Sequence, residues 1–479
     1  MKRTIILMML STLLVFTGCR KFDELNTDPA KPGETRPEFL LANAEKRASD
    51  LMYDGYYNGR IGMHYAQYWT GTDKTDESRN LITNDALWTG LYVGPLVDLQ
   101  EISNYYRRNP QDANPNMVAV AEIMKVWIFH VLTDLYVDIP YSQALKVDAY
   151  PQPVFDRAQD VYAALITSLK TQIAQLSGTD PGVIQGDILM GGKKDLWVRF
   201  ANALRMRIAL RMADVKPDEA RAEIEDAAKN TLHEGEDIYF PYNTQSITNR
   251  FPYNEEDRAL VEFAVTTTLI DYLKEVDDPR LKVYARPSVK GNVFRGKPYG
   301  LVTNTPVLDS LSKPGTKVYS GAFKGYLITY TEVAFIKTEA AARGMNVGGS
   351  AASLYENAIA ASMKQWEISG NDTINNYIRR VPYNAGNWKD VIGTQKWIAL
   401  YMQGLQSWME RLRLDFNRPD GRPLFIDPVS GSLDAQVPGV PQRLNYPNAT
   451  RNSNAANSEQ AAANIGGDTK ATRNWWNVR

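Results

Sequence analysis

Residues 117–145 read MVAVAEIMKVWIFHVLTDLYVDIPYSQAL, and no other stretch limits the possible folds as much. Met117, Val120, Met124, Trp127, Ile128, Val131 and Leu135 recur at spacings of three and four, which is one face of an α-helix. Ile123, Val126 and Phe129 add apolar surface on the other sides, so this helix has to be covered all round by its neighbours. Asp138-Ile139-Pro140 stops it, because proline lacks the N–H and disfavours the α conformation in the residue before it.

The covering helices are legible in turn. Pro37 opens one, with Leu40, Leu41, Ala44, Ala48, Leu51 and Met52 on one side. A run from Ala86 turns Leu87, Leu91, Leu96, Leu99 and Ile102 inward and pairs with it. A second pair is lined by Val161, Leu165, Leu169, Ile173 and Leu176, then by Trp197, Phe200, Ala201, Leu204, Ile208 and Met212. A third, at 335–344 and 355–359, has the small-residue and Tyr/Ala pattern of tetratricopeptide hairpins, where small side chains let antiparallel helices approach closely. The spacing between pairs is not constant, which predicts one curved layer of degenerate hairpins.

Segments 237–258 and 287–325 are rich in glycine, proline and aromatics, lack helical periodicity and read as long loop insertions. Helix returns over 397–416. The asparagine-rich tail ends in Trp475-Trp476, a pair expected to dock on the body. The predicted fold class is mostly α: a tetratricopeptide-like layer of helical hairpins with long irregular loop insertions, forming one domain over 38–479.

Composition narrows the function. Fifty-four basic against 55 acidic residues give a net charge of −1, without the basic surplus that nucleic acid requires. One cysteine and three scattered histidines (His64, His130, His233) assemble neither a disulfide framework nor a Cys/His zinc site, and no cofactor is called for. The cysteine has its own context. Lys2-Arg3, an apolar run over 5–16 and then Phe16-Thr17-Gly18-Cys19 read as a secretory signal, residues 1–18, too short to span a membrane.

Cysteine directly after that small pair resembles the lipobox of a bacterial lipoprotein, with Cys19 the acylated first residue; Phe16 stands where leucine is usual. The alternative is an ordinary signal peptide with a chance cysteine. At about 0.8 kcal/mol per buried methylene, several acyl chains anchor a protein stably. Residues 19–37 are polar, carry three prolines and form a flexible spacer.

For ligand contact, the aromatic stretch 65–73 reads as a surface loop. Tyr68, Trp69 and Asn80 there, with Arg250, Phe251 and Tyr253 in the first insertion, combine rings and polar groups. A sugar stacks its apolar face on such a ring while amides and guanidiniums take its hydroxyls. The bland reading is that these rings close the ends of the helical layer or face a partner. His130 and Asp134, four apart on the buried helix, read as a hydrogen-bonded core pair in preference to a metal site. Residues 291–298 fall short of a phosphate loop, since Pro298 has no hydroxyl for magnesium and no helix follows. Arg205, Arg207 and Arg211 read as a solvated or snorkelled helix face.

Several separated segments together resemble the SusD/RagB family of outer-membrane lipoproteins, in its SusD-like branch. They are Cys19 with Leu25-Asn-Thr-Asp-Pro29; Leu132-Thr-Asp-Leu-Tyr-Val-Asp-Ile-Pro-Tyr-Ser142; Lys194-Asp-Leu-Trp-Val-Arg-Phe-Ala-Asn-Ala-Leu-Arg205; Tyr330-Thr-Glu-Val-Ala-Phe335 with Glu339-Ala-Ala-Ala-Arg-Gly344; Arg443-Leu-Asn-Tyr-Pro447; and Trp475-Trp476. Val137 stands where many members carry glycine.

The resemblance implies a non-enzymatic, lipid-anchored protein of the outer membrane that binds a nutrient oligomer, a glycan first and a peptide second. It implies delivery to a SusC-like TonB-dependent transporter. Two rival readings are a helical glycosidase, which needs two carboxylates roughly 5–9.5 Å apart, and a scaffold without ligand.

Overall fold

The computed structural model describes residues 34–81, 85–254, 262–303 and 306–478. Cys19, the signal segment and most of the spacer lie outside the described residues. The first helix, α1 (Pro37–Met52), opens with proline at its first turn, as its fixed φ favours. The run from Ala86 divides at Gly94 into α2 (Ala86–Val93) and α3 (Pro95–Arg108), and α3 lies along α1. The central helix, α4 (Pro115–Tyr136), is capped by the Asn114 side chain, which accepts from the Met117 N–H at 3.1 Å. It is buried on every side, as its sequence predicts.

At its far end Val137 has φ 72° and ψ −106°, a conformation that β-branched residues avoid and glycine tolerates. The side-chain amide of Asn474 donates to the carbonyls of Thr133 and Asp134, both at 3.1 Å, and so satisfies two groups the helix end leaves open.

Helices α5 (Ala158–Leu176), α6 (Lys194–Arg211) and α7 (Pro217–Ala227) continue the layer, each packed on the one before it. After α8 (Thr267–Glu275) comes the close hairpin of α9 (Tyr330–Ala342) and α10 (Ala351–Gln365), followed by α11 (Asn371–Arg380), α12 (Trp388–Ala399) and α13 (Gly404–Leu414). Phe335, Ala358 and Ile359 between α9 and α10, with Ile374, Tyr377 and Ile392, form a second small core beside the main one. Two short antiparallel ladders lie in the irregular part: β1 (Trp69–Gly71) with β3 (Phe263–Val265), and β2 (Ile238–Pro241) with β4 (Lys324–Ile328). The tail returns to the body, where Trp476 is buried and the Arg211 guanidinium lies over its ring at 5.6 Å.

The arginines of α6 do not form a wet face. Arg205, Arg207 and Arg211 are buried. Arg207 gives two nitrogens to Glu332 at 2.7 Å each; Arg211 pairs with Asp134 at 3.1 Å and with Glu410; Arg205 pairs with Glu223. The cause is position: α6 has α5, α7 and α9 around it, so its polar side is covered too, and each desolvated guanidinium has to meet a carboxylate.

His130 also departs from expectation. Its Nε2 lies 3.4 Å from Asp134, but neither ring nitrogen makes a hydrogen bond, because the carboxylate is taken by Tyr162 and Arg211. Burial pushes the imidazole down to about 4, so it is neutral near pH 7. Among the described residues no helix is long and apolar enough to cross a membrane.

Candidate ligand-binding face

The structure brings together the two segments that carry Tyr68, Trp69, Phe251 and Tyr253, as a core. Tyr68, Trp69, Phe251 and Tyr253 have no appreciable exposure. Trp69 stacks on Phe263 with centroids 5.0 Å apart and meets Tyr253 edge-on at 5.8 Å. Its indole N–H donates to the Tyr401 hydroxyl at 2.8 Å, which donates in turn to the Tyr284 carbonyl at 2.9 Å. Tyr68 stacks on Trp397 at 5.2 Å, and its hydroxyl donates to the Trp397 carbonyl. Phe251 sits among Tyr53, Tyr242 and Phe323. The reading of 65–73 as a surface loop is therefore corrected. The segment is β1 and the turn before it, and ring burial outweighs the turn-forming residues around it.

Asn80 and Arg250 belong to the same framework. Asn80 is buried in a left-handed turn (φ 72°), and its amide nitrogen lies 2.8 Å from the carbonyls of Val437 and Gly439 and 2.9 Å from Ser432 Oγ. The Lys470 ammonium donates to the Asn80 carbonyl and pairs with Asp434 at 2.9 Å. Arg250 is half-buried beside Gly321.

On this base the loops are tied into a face. Trp69 pairs with Val265 and Gly71 with Phe263, while Thr266 bridges to Lys297. The Lys297 ammonium, buried, donates to the carbonyls of Gly71 and Thr72 at 2.8 and 2.7 Å; burial lowers its pKa, and the nearby Asp73 carboxylate opposes this. A Cβ on Gly296 would stand 2.4 Å from the Thr267 nitrogen, so only glycine lets the two segments touch. Ser312 then bonds Arg295 and Val265 through its backbone, and Val429 and Leu433 of the tail reach Tyr299 and Arg79. Beneath, Arg60 lies between Glu262 at 3.2 Å and Glu77 at 3.7 Å, and burial next to Arg60 and Lys297 holds His64 down at about 3, neutral.

The outer rim of this layer is what solvent meets. Asp73, Lys74, Asp76, Asn292 and Arg295 are exposed, beside Val293 at 51% and Val289 at 74%. Polar groups next to exposed aliphatic surface on a rigid base suit reversible binding of a hydroxyl-rich molecule. These residues lie in or beside the segments singled out from sequence, where nothing in their type or spacing marks them out against the neighbouring rings. Lys297, noted only within a defective phosphate loop, is the tie that the packing needs. Among the described residues no group of three His, Cys, Asp or Glu side chains is placed to hold a metal ion.

Comparison with known proteins agrees with this architecture. A family model described as SusD-like, starch-binding associating with outer membrane, matches residues 29–447. A solved chitin-binding protein is 27% identical and superposes with a TM-score of 0.81 over 93% of this chain and 100% of its own. A chitin-binding SusD homolog from Flavobacterium johnsoniae (23% identity, TM-score 0.77, 92% of this chain and 98% of that one) shares the fold. So does a SusD-like protein from Bacteroides thetaiotaomicron (21%, 0.77, 92% and 99%). No curated protein matches the sequence.

Proposed function

Because the chain belongs to the SusD-like family of outer-membrane-associated glycan-binding proteins, we propose that it captures a soluble glycan on its loop face and passes it to a SusC-like TonB-dependent transporter. The family consists of non-catalytic binding proteins, so the glycosidase reading is set aside. The body is held at the membrane through acylated Cys19, with 19–37 as its tether. The ligand bound first is an N-acetylated or neutral oligosaccharide, a choice supported by the chitin-binding protein that is 27% identical.

The observation that carries this reading is the division of labour in the fold. The helical layer is locked by buried ion pairs such as Arg207–Glu332 and Arg413–Glu339, while the irregular layer turns polar and aliphatic groups outward above interlocked rings. Isothermal titration of the protein with chitohexaose and maltoheptaose is the test. Binding of either is the expected result, and binding of neither sinks the glycan assignment. Copurification with a co-expressed TonB-dependent barrel, and loss of radiolabelled palmitate in Cys19→Ala, test partner and anchor separately.

A further inference from the structure

The end of α13 and the tail enclose a separate cleft of about 270 Å³, walled by Arg411, Asp415, Asn417, Phe425, Gln442 and Arg473. The tail segment serves both sites: Val429 and Leu433 bond the loop face, whereas Phe425 and Val440 line this cleft.

Arg411 is the unusual group. Each fully buried arginine described here has a carboxylate: Arg205 with Glu223, Arg207 with Glu332, Arg211 with Asp134, Arg280 with Asp278, Arg413 with Glu339 and Arg443 with Asp468. Arg411, half-buried, forms no ion pair among the described residues. Its Nη1 donates to the Tyr65 carbonyl at 2.6 Å and its guanidinium lies 4.1 Å from the centre of the Phe425 ring, which leaves the rest of the donor fork to the cleft. Burial lowers its pKa to about 10, against the opposing influence of Tyr299, Asp427 and Asp415. Arg473, also in the lining, is exposed, and its side chain makes no hydrogen bond or ion pair among the described residues. Asp415 ends α13 in a left-handed conformation (φ 48°), its N–H donating to the Arg411 carbonyl at 3.2 Å.

In the lining itself two guanidiniums face one carboxylate, Asp415, with Asp427 acting on Arg411 from behind the wall, and the volume, just under the roughly 300–1,000 Å³ of drug-sized sites, suits one ring-sized unit. The amide of Asn417 suits hydroxyls that a simple inorganic anion lacks, while Gln442, held by the Val440 carbonyl at 3.2 Å and the Asn477 amide at 2.8 Å, keeps only its second N–H and lone pair for the cleft. We propose that this cleft binds an acidic sugar residue, with its carboxylate on Arg411 and Arg473 and its hydroxyls on the amide wall and Asp415.

The test is calorimetric titration of the full protein with trigalacturonate, its methyl ester and chitotriose. The acid is expected to bind about tenfold or more tighter than the ester, which keeps the shape and loses the charge. Arg473→Gln, at an exposed side chain without internal partners, is expected to weaken the acid about tenfold while leaving its melting temperature and any chitooligosaccharide affinity unchanged. Equal affinity for acid and ester, or an unaltered acid affinity in Arg473→Gln, overturns the proposal. So does tighter binding of a short peptide with a free C-terminal carboxylate than of the sugar acid. Because the chitooligosaccharide is measured independently, failure here leaves the loop-face reading standing.

Discussion

Arg413 sets its two terminal nitrogens 2.7 and 2.6 Å from the two carboxylate oxygens of Glu339, and both side chains are out of reach of water. The pair joins α13 to α9, and Glu410 extends it to Arg211 of α6 and Lys396 of α12. Four helices of the layer therefore share one buried run of alternating charge. Glu339→Gln strands part of that positive charge and is expected to destabilise the protein by about 3–5 kcal/mol in urea unfolding; a change below 1 kcal/mol refutes the point.

The same pair fixes an acid limit. Despite the opposing cost of burial, Arg413 and Arg343 hold the Glu339 carboxyl down at about 2. A lowered carboxyl contributes stability that is present above its ordinary 4.5 and is lost as pH falls through the folded value. The melting temperature is expected to fall as pH drops from about 4.5 towards 2, and the slope in that window should shrink in Glu339→Gln.

Glu45 behaves in the opposite sense. Burial, with the Asp187 carboxylate beside it, pushes its carboxyl well above the usual range, and Oε1 has no hydrogen-bond partner. A raised carboxyl contributes stability below 4.5 that is lost as pH rises through the folded value. Glu45→Gln should therefore gain melting temperature over wild type at pH 8 and little or nothing at pH 4.

Trp69→Ala tests the corrected placement of the ring. A sugar-stacking tryptophan on the surface could be removed with the fold intact, at the cost of about 1–3 kcal/mol of binding. A tryptophan enclosed by Phe263, Tyr253 and Tyr401 should instead take about 3–5 kcal/mol from stability. An unchanged unfolding midpoint would put the ring back at the surface.

On the rim, Arg295→Ala removes an exposed donor without touching the base. It is expected to weaken glycan binding by about 1–2 kcal/mol in the titration while leaving the unfolding midpoint unchanged.

Val137→Gly is expected to lower stability by about 1–2 kcal/mol in urea unfolding. Relief of a conformation costing about 1–2 kcal/mol is outweighed by loss of a buried side chain contributing about 1.5–3 kcal/mol and by the greater freedom of glycine in the unfolded chain. A gain of stability shows that the backbone conformation outweighs the packing of Val137.

The helical layer was readable because its signal is periodic. Leu40 to Met52, Leu87 to Ile102, Met117 to Leu135 and Trp197 to Ile208 each repeat at three and four, and each proves buried on the face expected. The arginines of α6 were not readable, since a guanidinium on a helix looks alike in sequence whether water or Glu332 stands opposite. The same limit applied to Tyr68 and Trp69. Their neighbours Gln67, Thr70 and Gly71 are turn formers, and the partners that bury the rings, Phe263, Trp397 and Tyr401, lie about 200 to 330 residues away. The rim residues leave no mark for a third reason: polar side chains in loops carry no period.

The bond from Lys470 to the Asn80 carbonyl joins positions 390 apart. A surface begun near residue 70 thus waits on almost the whole polypeptide before it is closed. During synthesis the early helical hairpins are able to form first, while this face stays unfinished until the segment carrying Lys470 arrives. Loss of the segment that carries Lys470 should open that face and also strip Asn474 from the end of α4 and Trp476 from Arg211.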